Sequence, residues 1–391
     1  MTGARAAAGR LAGLGPAGPD EMGRELAEGP AAVEGTLAEA RRLAPDLAAA
    51  WEAAGRIVLL GTGASLAMSR AAEPVLRVAA ARDRARPVLV RESSHAVLGA
   101  PDGEELRPDD LAIAVSQSGA SPETVAAAHA ARSAGARILA VTADGSSALA
   151  STADLVLVTP SGHEEGAATK SELAALAALL ALAGALPTHP AAVAGLRGAL
   201  EALVADTGGA LPAGGVLGRA RRAWIVGFGT GLGLAIATAT LLHEKALLAA
   251  IATTPSEFRH GPIEVATSDD VVVLVETDAP DPRRDAYLGR LAAELGQIGT
   301  PLVVTGAMDV PPMAIALPAP APTATRPRSG VPPPGRAGVA GGPAPDAAIL
   351  LTTLLRLQQA ARVAAHARGT YRDGFRILRD IVLAADLAGA P

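Results

Sequence analysis

The sequence predicts an α/β protein with two similar halves, each built on a parallel sheet that helices cover on both faces. Continuous apolar strands alternate with amphipathic helical stretches, which is the pattern of a parallel sheet. The same order of elements also occurs twice. An apolar run that ends in Gly-x-Gly and leads into a helix is found at 56–77 and again at 222–245. Each half is therefore expected to be doubly wound, with its ligand site at the carboxyl ends of the strands.

The later parts of the two halves repeat as well. Residues 109–142 and 269–306 both open with Asp-Asp and continue as strand, polar loop, helix and strand. Short apolar runs at 153–160 and 311–318 then complete each set. The repeat therefore extends over the whole of each predicted sheet.

Composition sets the predicted domain limits. These are a helical segment at 1–54, a first domain at 55–205, a Gly-rich linker at 206–216, a second domain at 217–369 and a tail at 370–391. Within the second domain, 308–345 are rich in proline and are expected to form a flexible loop, because such a composition cannot bury a core. A helical pattern returns at 346–369, with Asp346 as the expected N-cap.

The composition also excludes several classes of protein. Half of the 391 residues are apolar but only 2% are aromatic, so the core must consist of Ala, Val and Leu. The net charge of −5 leaves no basic footprint for a nucleic acid. Cysteine is absent and the seven histidines lack metal-ligand spacing, so neither a metal nor another cofactor is expected. No signal peptide or membrane-spanning run is evident, and we expect a cytoplasmic protein with no membrane partner.

A polar loop at 116–124, SQSGASPET, is a candidate binding site for phosphate. It follows a predicted strand and precedes a helix, whose N-terminal N–H groups can bind an anion. Gly119 lets the backbone approach a ligand closely. Ordinary helix capping by serine and threonine is the alternative, but the number of polar side chains favours phosphate. Those side chains are Ser116, Gln117, Ser118, Ser121 and Thr124.

The stretch 243–262 holds the densest group of polar residues. Glu244 lies on an otherwise apolar helix, and Glu257 and His260 share a face if their segment is helical. A carboxylate and a histidine together suit proton transfer near neutral pH. A surface cluster of salt bridges around Arg259 is the alternative that the pattern leaves open. A dinucleotide site is not favoured, because neither Gly-x-Gly turn has the third glycine of that fingerprint.

Four motifs occur in an order that resembles proteins with tandem SIS (sugar isomerase) domains. They are GTGAS at 61–65, SQSGASPET, AATK at 167–170 and SEFRHGP at 256–262. The likeness covers about residues 20–310. It includes the isomerase half of glucosamine-6-phosphate synthase and SIS-type glucosamine-6-phosphate deaminases.

The resemblance implies roles for these residues. The glycine turn and the Ser-Gln-Ser loop bind the sugar phosphate in that family, which adds Gly63, Ala64 and Ser65 to the loop residues named above. Glu244 corresponds to the base that moves a proton between C1 and C2. His260, sixteen residues later, corresponds to a ring-opening histidine from a neighbouring subunit. The resemblance thus implies a homodimer with shared active sites, in which Glu257 and Arg259 are expected to support the loop.

The implied reaction converts glucosamine 6-phosphate, or a related amino sugar phosphate, to fructose 6-phosphate and ammonia. No glutaminase domain is expected, since the resemblance begins near residue 22 and cysteine is absent. Two alternatives stay open, a phosphosugar isomerase with another substrate and a protein that binds sugar phosphate without turnover. The family's tail lysine is replaced by Asp380, and Arg379 or Lys170 could supply that charge instead.

Overall fold

The structure, a computed structural model, describes most of the chain. The described residues are 11, 14–15, 18, 20–83, 85–98, 105–278, 281–306, 314–318 and 347–377. They form an α/β protein with two parallel five-stranded sheets flanked by helices, as the sequence predicts. The proline-rich stretch 308–345, apart from 314–318, lies outside the described residues, as do Asp346, Arg379 and Asp380.

The first half begins with two helices and continues with the first sheet. Its elements in chain order are α1 (Glu21–Arg42), α2 (Ala44–Ala53), β1 (Arg56–Gly61), α3 (Gly63–Asp83), β2 (Val88–Glu92), α4 (Ser94–Leu98), β3 (Asp110–Val115), α5 (Pro122–Ser133), β4 (Arg137–Thr142), α6 (Ala148–Thr152) and β5 (Leu155–Val158). The strand order is β2-β1-β3-β4-β5. Strands β1 and β3 are buried at every residue, which explains why they read as unbroken apolar runs.

The second half repeats this arrangement after a group of connecting helices. Its elements are α7 (Lys170–Leu182), α8 (Pro190–Ala205), a 3-10 turn (Thr207–Ala210), α9 (Leu211–Arg219), β6 (Arg222–Gly227), α10 (Thr230–Ala246), β7 (Ala249–Thr253), α11 (Pro255–Arg259), a 3-10 turn (Pro262–Val265), β8 (Asp270–Val275), α12 (Pro282–Ile298), β9 (Leu302–Thr305), β10 (Ile315–Leu317) and α13 (Ala347–Arg368). The strand order, β7-β6-β8-β9-β10, is that of the first sheet.

The glycine-rich stretch 206–216, which the composition favours as a linker, is helical in the structure. It forms the 3-10 turn and most of α9, and Ala210 and Ala213 are fully buried. Its glycines serve close packing, because a Cβ placed on Gly214 would lie 2.4 Å from Cβ of Val363 on α13. The absence of a side chain there lets two helices approach, and it is not a sign of flexibility.

The two halves share one core, which fixes how α10 lies relative to the first sheet. A single apolar cluster includes Met68 on α3, Leu176 on α7, Leu234 on α10 and Leu354 on α13. Helix α10 packs directly on α3, since a Cβ on Gly233 would lie 2.2 Å from the backbone nitrogen of Ala71. Among the described residues, no helix combines the length and apolar character that a membrane span requires.

Gly233→Ala is expected to destabilise the protein, because the added methyl group would push α10 away from the backbone of α3. The cost should be about 1–3 kcal/mol, the usual range for overpacking. Gly198→Ala on α8 is the matched control, since nothing lies within 4 Å of its added Cβ. That control should be neutral or stabilise by up to ~1 kcal/mol. Thermal unfolding of the two variants measures this, and equal midpoints would contradict the packing argument.

Candidate active site

The loop after β3 is folded tightly against the loop after β4. Gly119 has a φ of +62°, and a Cβ on it would lie 2.0 Å from Oγ of Ser147. The backbone oxygen of Gln117 accepts hydrogen bonds from Oγ1 of Thr142 at 3.1 Å and from the backbone nitrogen of Ala143 at 2.9 Å. Only glycine satisfies both the positive φ and the close approach. The loop is therefore held in one shape at the carboxyl edge of the sheet.

The hydroxyl groups of this loop do not cap the helix that follows. Oγ of Ser121, the N-cap residue of α5, lies 3.1 Å from Oγ of Ser116 and makes no side-chain cap hydrogen bond. Oγ1 of Thr124 is buried and has no hydrogen-bond partner within the described residues. Ordinary capping, the alternative for this motif, therefore does not account for these side chains. The first N–H groups of α5 stay open to an anion.

The other residues of the predicted phosphate site line the same edge. Gln117 donates from Nε2 to the oxygen of Gly162 at 2.9 Å, and Oγ of the exposed Ser118 accepts from the nitrogen of Ala120 at 3.2 Å. Gly63 has a φ of +55° and open space where a Cβ would be. It begins α3 together with Ala64 and Ser65, directly after β1, the neighbour of β3. The glycine turn and the polar loop thus meet at adjacent strand ends.

A second helix begins near this edge, but its N-terminus is already occupied. Oε1 of Glu164 accepts hydrogen bonds from the backbone nitrogens of Thr169 at 2.9 Å and Ser171 at 3.1 Å, at the start of α7. A carboxylate there satisfies the orphan N–H groups and the helix dipole. Of the helices α5 and α7, only α5 offers an open N-terminus.

Glu244 lies two residues before the end of α10. Burial raises the pKa of its carboxyl to about 7, although the adjacent charge of Lys245 opposes that rise. Glu172 on α7 is buried nearby, and its pKa is well above the usual range. Burial is the main cause, and the charges of Glu164 and Glu244 add to it. A carboxyl whose pKa is near neutrality can serve as a general base at physiological pH.

The segment SEFRHGP is anchored by its aromatic and its arginine. Phe258 is fully buried, with its ring centroid 5.3 Å from that of Trp224. Arg259 forms an ion pair with Glu294 on α12 at 2.5 Å and lies over the ring of Tyr287. These contacts fix α11 on the second domain. They therefore also fix the position of His260, which follows the helix.

His260 is exposed at the end of α11. Its backbone N–H bonds to Ser256 and Glu257, while within the described residues its ring forms no hydrogen bond or ion pair. Gly261 follows with a φ of +144°, which glycine alone adopts easily. Glu257 is exposed, and only its backbone N–H is engaged, with Oγ1 of Thr254 at 3.2 Å. The ring of His260 is therefore accessible on the surface of its own chain.

Sequence reasoning missed a stripe of glutamates on α1. Glu21, Glu25 and Glu28 stand at i, i+4 and i+7, which is one face of a helix. Glu21 pairs with Lys245 at 3.2 Å, and Glu28 pairs with Lys170. Oε1 and Oε2 of Glu25 accept hydrogen bonds from the nitrogen of Glu165 at 3.2 Å and from Oγ1 of Thr169 at 3.3 Å. The helical spacing of the three glutamates can be seen in the sequence, but no local pattern predicts which residues they contact.

This arrangement defines a class of protein. A polar loop that leads into an uncapped helix N-terminus lies at the edge of a parallel sheet, in the same repeated α/β fold as a buried carboxyl whose pKa is raised. Residues 52–185 match the SIS domain. This part of the chain is therefore a SIS domain, and the resemblance drawn from the motifs is confirmed.

Particular proteins resemble the chain more extensively. It is 32% identical over 272 residues to the glutamine–fructose-6-phosphate aminotransferase (isomerizing) of Pyrobaculum aerophilum, which covers 66% of this chain and 44% of that one. The chain thus spans less than half the length of that relative. Among solved structures, tagatose-6-phosphate ketose/aldose isomerase from Escherichia coli has a TM-score of 0.74 at 22% identity, over 94% of this chain and 99% of that one. Glucosamine-6-phosphate deaminase from Thermotoga maritima has a TM-score of 0.65 at 16% identity, over 93% and 99%. Both structures share the fold.

Glu25→Gln is expected to stabilise the protein at pH 8 but not at pH 5. Burial, with the charges of Glu164 and Glu21, raises the pKa of Glu25 from 4.5 to about 7. Between these values the folded state binds a proton that the unfolded state has released, so the stability of the wild type falls as pH rises through this window. The neutral variant avoids that loss, which is worth about 1–3 kcal/mol at pH 8.

The measurement is the thermal midpoint of both proteins from pH 5 to pH 8. Glu201→Gln on the exposed face of α8 is the control, and its midpoint should follow the wild type at every pH. A constant difference between Glu25→Gln and the wild type across the range would show that the carboxyl of Glu25 does not titrate in this window.

Proposed function

We propose that the protein is a SIS-type deaminase that converts glucosamine 6-phosphate, or a related amino sugar phosphate, to fructose 6-phosphate and ammonia. One observation carries this proposal. The raised pKa of Glu244, about 7, belongs to a helix that packs on the first domain, where the N-terminus of α5 is open to an anion. The two features together suit proton abstraction from a phosphorylated substrate.

The phosphate would bind the loop after β3. The N–H groups at the start of α5 and the hydroxyls of Ser116, Ser121 and Thr124 supply donors that helix capping does not use. A buried hydroxyl without a partner is costly, and a phosphate oxygen would remove that cost. Gly63, beside this loop, has open space in which the sugar can approach the backbone.

The charge around the neighbouring loop favours an amino sugar over a neutral one. Seven carboxyl groups lie within residues 162–172 or on the segments that border them, together with two lysines. The carboxyl groups are those of Glu21, Glu25, Glu28, Glu164, Glu165, Glu172 and Glu244, and the lysines are Lys170 and Lys245. Lys245 and Lys170 neutralise Glu21 and Glu28, and burial favours the protonated form of Glu172, so the negative charge that would attract a protonated amine comes mainly from Glu164 and Glu165.

The chemistry follows from these positions. His260 would transfer a proton between the ring oxygen and O1, which opens the pyranose. Glu244 would take the proton from C2 of the open aldehyde and return it to C1, while a proton moves from the amine nitrogen to O1, which leaves a C1 hydroxyl and an imine at C2. Water then adds to that imine, ammonia departs, and the ketose fructose 6-phosphate remains. The base must be within hydrogen-bond reach of the carbon-bound proton.

His260 would act in the site of a second subunit, so the working unit would be a homodimer. Its ring is exposed and has no partner among the described residues of its own chain. Exposed apolar side chains are also found in this region, Ile251 on the edge strand β7 and Val265 after the histidine turn.

Glu244→Gln is expected to abolish ammonia release from glucosamine 6-phosphate and to leave binding of the sugar phosphate intact. The amide keeps the shape of the side chain but cannot accept the C2 proton. Ser121→Ala should do the reverse, with weaker binding and measurable turnover at saturation. Coupled ammonia and ketose assays measure turnover, and thermal shift measures binding. Ketose formation from a neutral hexose phosphate without ammonia would favour an isomerase, and binding without any turnover would favour a sensor.

Mixing two inactive variants tests the shared site. In a heterodimer of Glu244→Gln and His260→Ala, one of the two sites would hold both wild-type residues, so a randomised mixture should regain about a quarter of wild-type activity. Unfolding and refolding the mixture exchanges the subunits. A mixture of His260→Ala with itself is the control. If both residues served one site within a single chain, no activity would return.

A further inference from the structure

Lys245, the residue after Glu244, is completely buried and contacts two other segments, α1 and the tail. Its Nζ lies 3.2 Å from Oε1 of Glu21 on α1, 3.4 Å from the backbone oxygen of Arg372 and 3.2 Å from that of Gly374. The rings of Tyr371 and Phe375 lie 5.7 and 5.9 Å from the same nitrogen. The ammonium group therefore joins α1, the tail and the end of α10.

The choice of lysine at this position is unusual for this chain. Only two of its 34 basic residues are lysines, and both are buried and paired with glutamates of α1. Elsewhere a buried carboxylate is paired with arginine, as in Arg56 with Asp110 at 2.7 Å. The planar fork of arginine suits one carboxylate, whereas a compact ammonium can meet acceptors that converge from several directions. The acceptors around position 245 converge from α1 and from the tail, so this position needs the compact ammonium of lysine.

The partners of Lys245 are themselves linked to one another. Oε2 of Glu21 accepts from the nitrogen of Gly374 at 2.6 Å, and the nitrogen of Glu21 donates to Oδ1 of Asp373 at 3.0 Å. The nitrogen of Met22 donates to the hydroxyl of Tyr371 at 3.0 Å. The start of α1 and the first residues of the tail thus form one unit, and Lys245 attaches that unit to α10.

We propose that Lys245 is a positioning residue for Glu244: it clamps the end of α10 between α1 and the tail, and it keeps a fixed positive charge beside the catalytic carboxyl. This inference rests on the proposed function of Glu244. Because burial raises the pKa of Glu244 and the charge of Lys245 opposes that rise, the lysine would set the pH at which the base becomes active.

Other ionisable groups also act on this end of α10. Glu21 pairs directly with Lys245, and the buried Glu172 on α7 is in electrostatic range of Glu244. Titratable side chains of both signs lie on the segments that pack there. The acids are Glu25 of α1, Glu164 before α7, and Tyr371 and Asp373 of the tail, and the basic side chains are Lys170 of α7, Arg372 of the tail, and Arg362 and His366 of α13. Among these charged groups, Lys245 is the one that opposes the rise in the pKa of Glu244.

The test is the pH profile of kcat/KM for glucosamine 6-phosphate in the full-length protein. In Lys245→Met the acid limb should move to higher pH by about half a pH unit or more, because burial then acts on the Glu244 carboxyl without the opposing charge of Lys245. Lys245→Arg keeps the charge and should return the limb toward the wild-type pH, whereas its planar fork cannot meet the converging acceptors and should still lower kcat. Arg56→Met is the control for loss of a buried cation, since Arg56 lies at the opposite end of β1. If Lys245→Met loses only stability and keeps the wild-type limb, like Arg56→Met, the inference is wrong.

A second variant covers the case in which Lys245→Met does not fold. Glu21→Gln preserves the shape of the side chain that contacts Lys245 but removes its negative charge, so the acid limb should move to lower pH. An upward or unchanged limb would contradict the inference. If the wild type turns over no amino sugar phosphate, the proposed function fails by itself. The titration of the Glu244 carboxyl by carbon NMR, assigned by its loss in Glu244→Gln, then still tests whether Lys245→Met raises that pKa.

Discussion

The contact between Glu21 and Lys245 holds the rest of the site in place. The two residues are 224 positions apart, and both are buried. Their ion pair brings the first helix, the end of α10 and the tail to one point, and a Cβ on Gly166 would lie 2.5 Å from Nζ of Lys245. The loop before α7 is therefore packed against the same pair. Removing one partner would leave a buried charge unpaired, which is far more costly than losing a surface pair.

Burial of carboxyl groups gives the site its chemistry and weakens the fold at the same time. Glu25, Glu172 and Glu244 all have a raised pKa, and in each the main cause is desolvation. Such groups favour the protonated folded state, so the protein loses stability as pH rises toward the range in which the base would work. A structural protein would gain from replacing them with apolar residues. Their presence together is typical of a functional site.

The features that could be predicted from the sequence are those that depend on residues close together in the chain. The strand runs and the position of SQSGASPET between β3 and α5 depend on residues that are close in the chain, and both were predicted correctly. The roles of Glu25 and Lys245 depend on partners more than a hundred residues away, such as Thr169 for Glu25 and Glu21 for Lys245. Rules based on residue spacing cannot predict contacts between residues so far apart in the chain. The stretch 206–216 shows a different limit, because glycine marks both flexible linkers and close helix contacts such as that of Gly214.

The two halves differ in how they treat the N-termini of their equivalent helices. Helices α5 and α12 follow equivalent strands, β3 and β8. Ser121 leaves the N-terminus of α5 open, whereas Oδ1 of Asp281 accepts the N–H groups of Arg283 and Arg284 at 2.9 Å each and closes that of α12.

Carboxylates also occupy the rest of the second edge. Oγ1 of Thr230 donates to Asp278 at 3.0 Å, and Glu276 pairs with Arg284 at 3.0 Å. A phosphate would meet like charges there, and the N-terminus of α12 is already closed. Among the described residues, these differences favour the first half for the proposed anion site. Under the proposed function, the second half would supply Glu244 and the exposed His260, so the repeat would separate substrate binding from proton transfer.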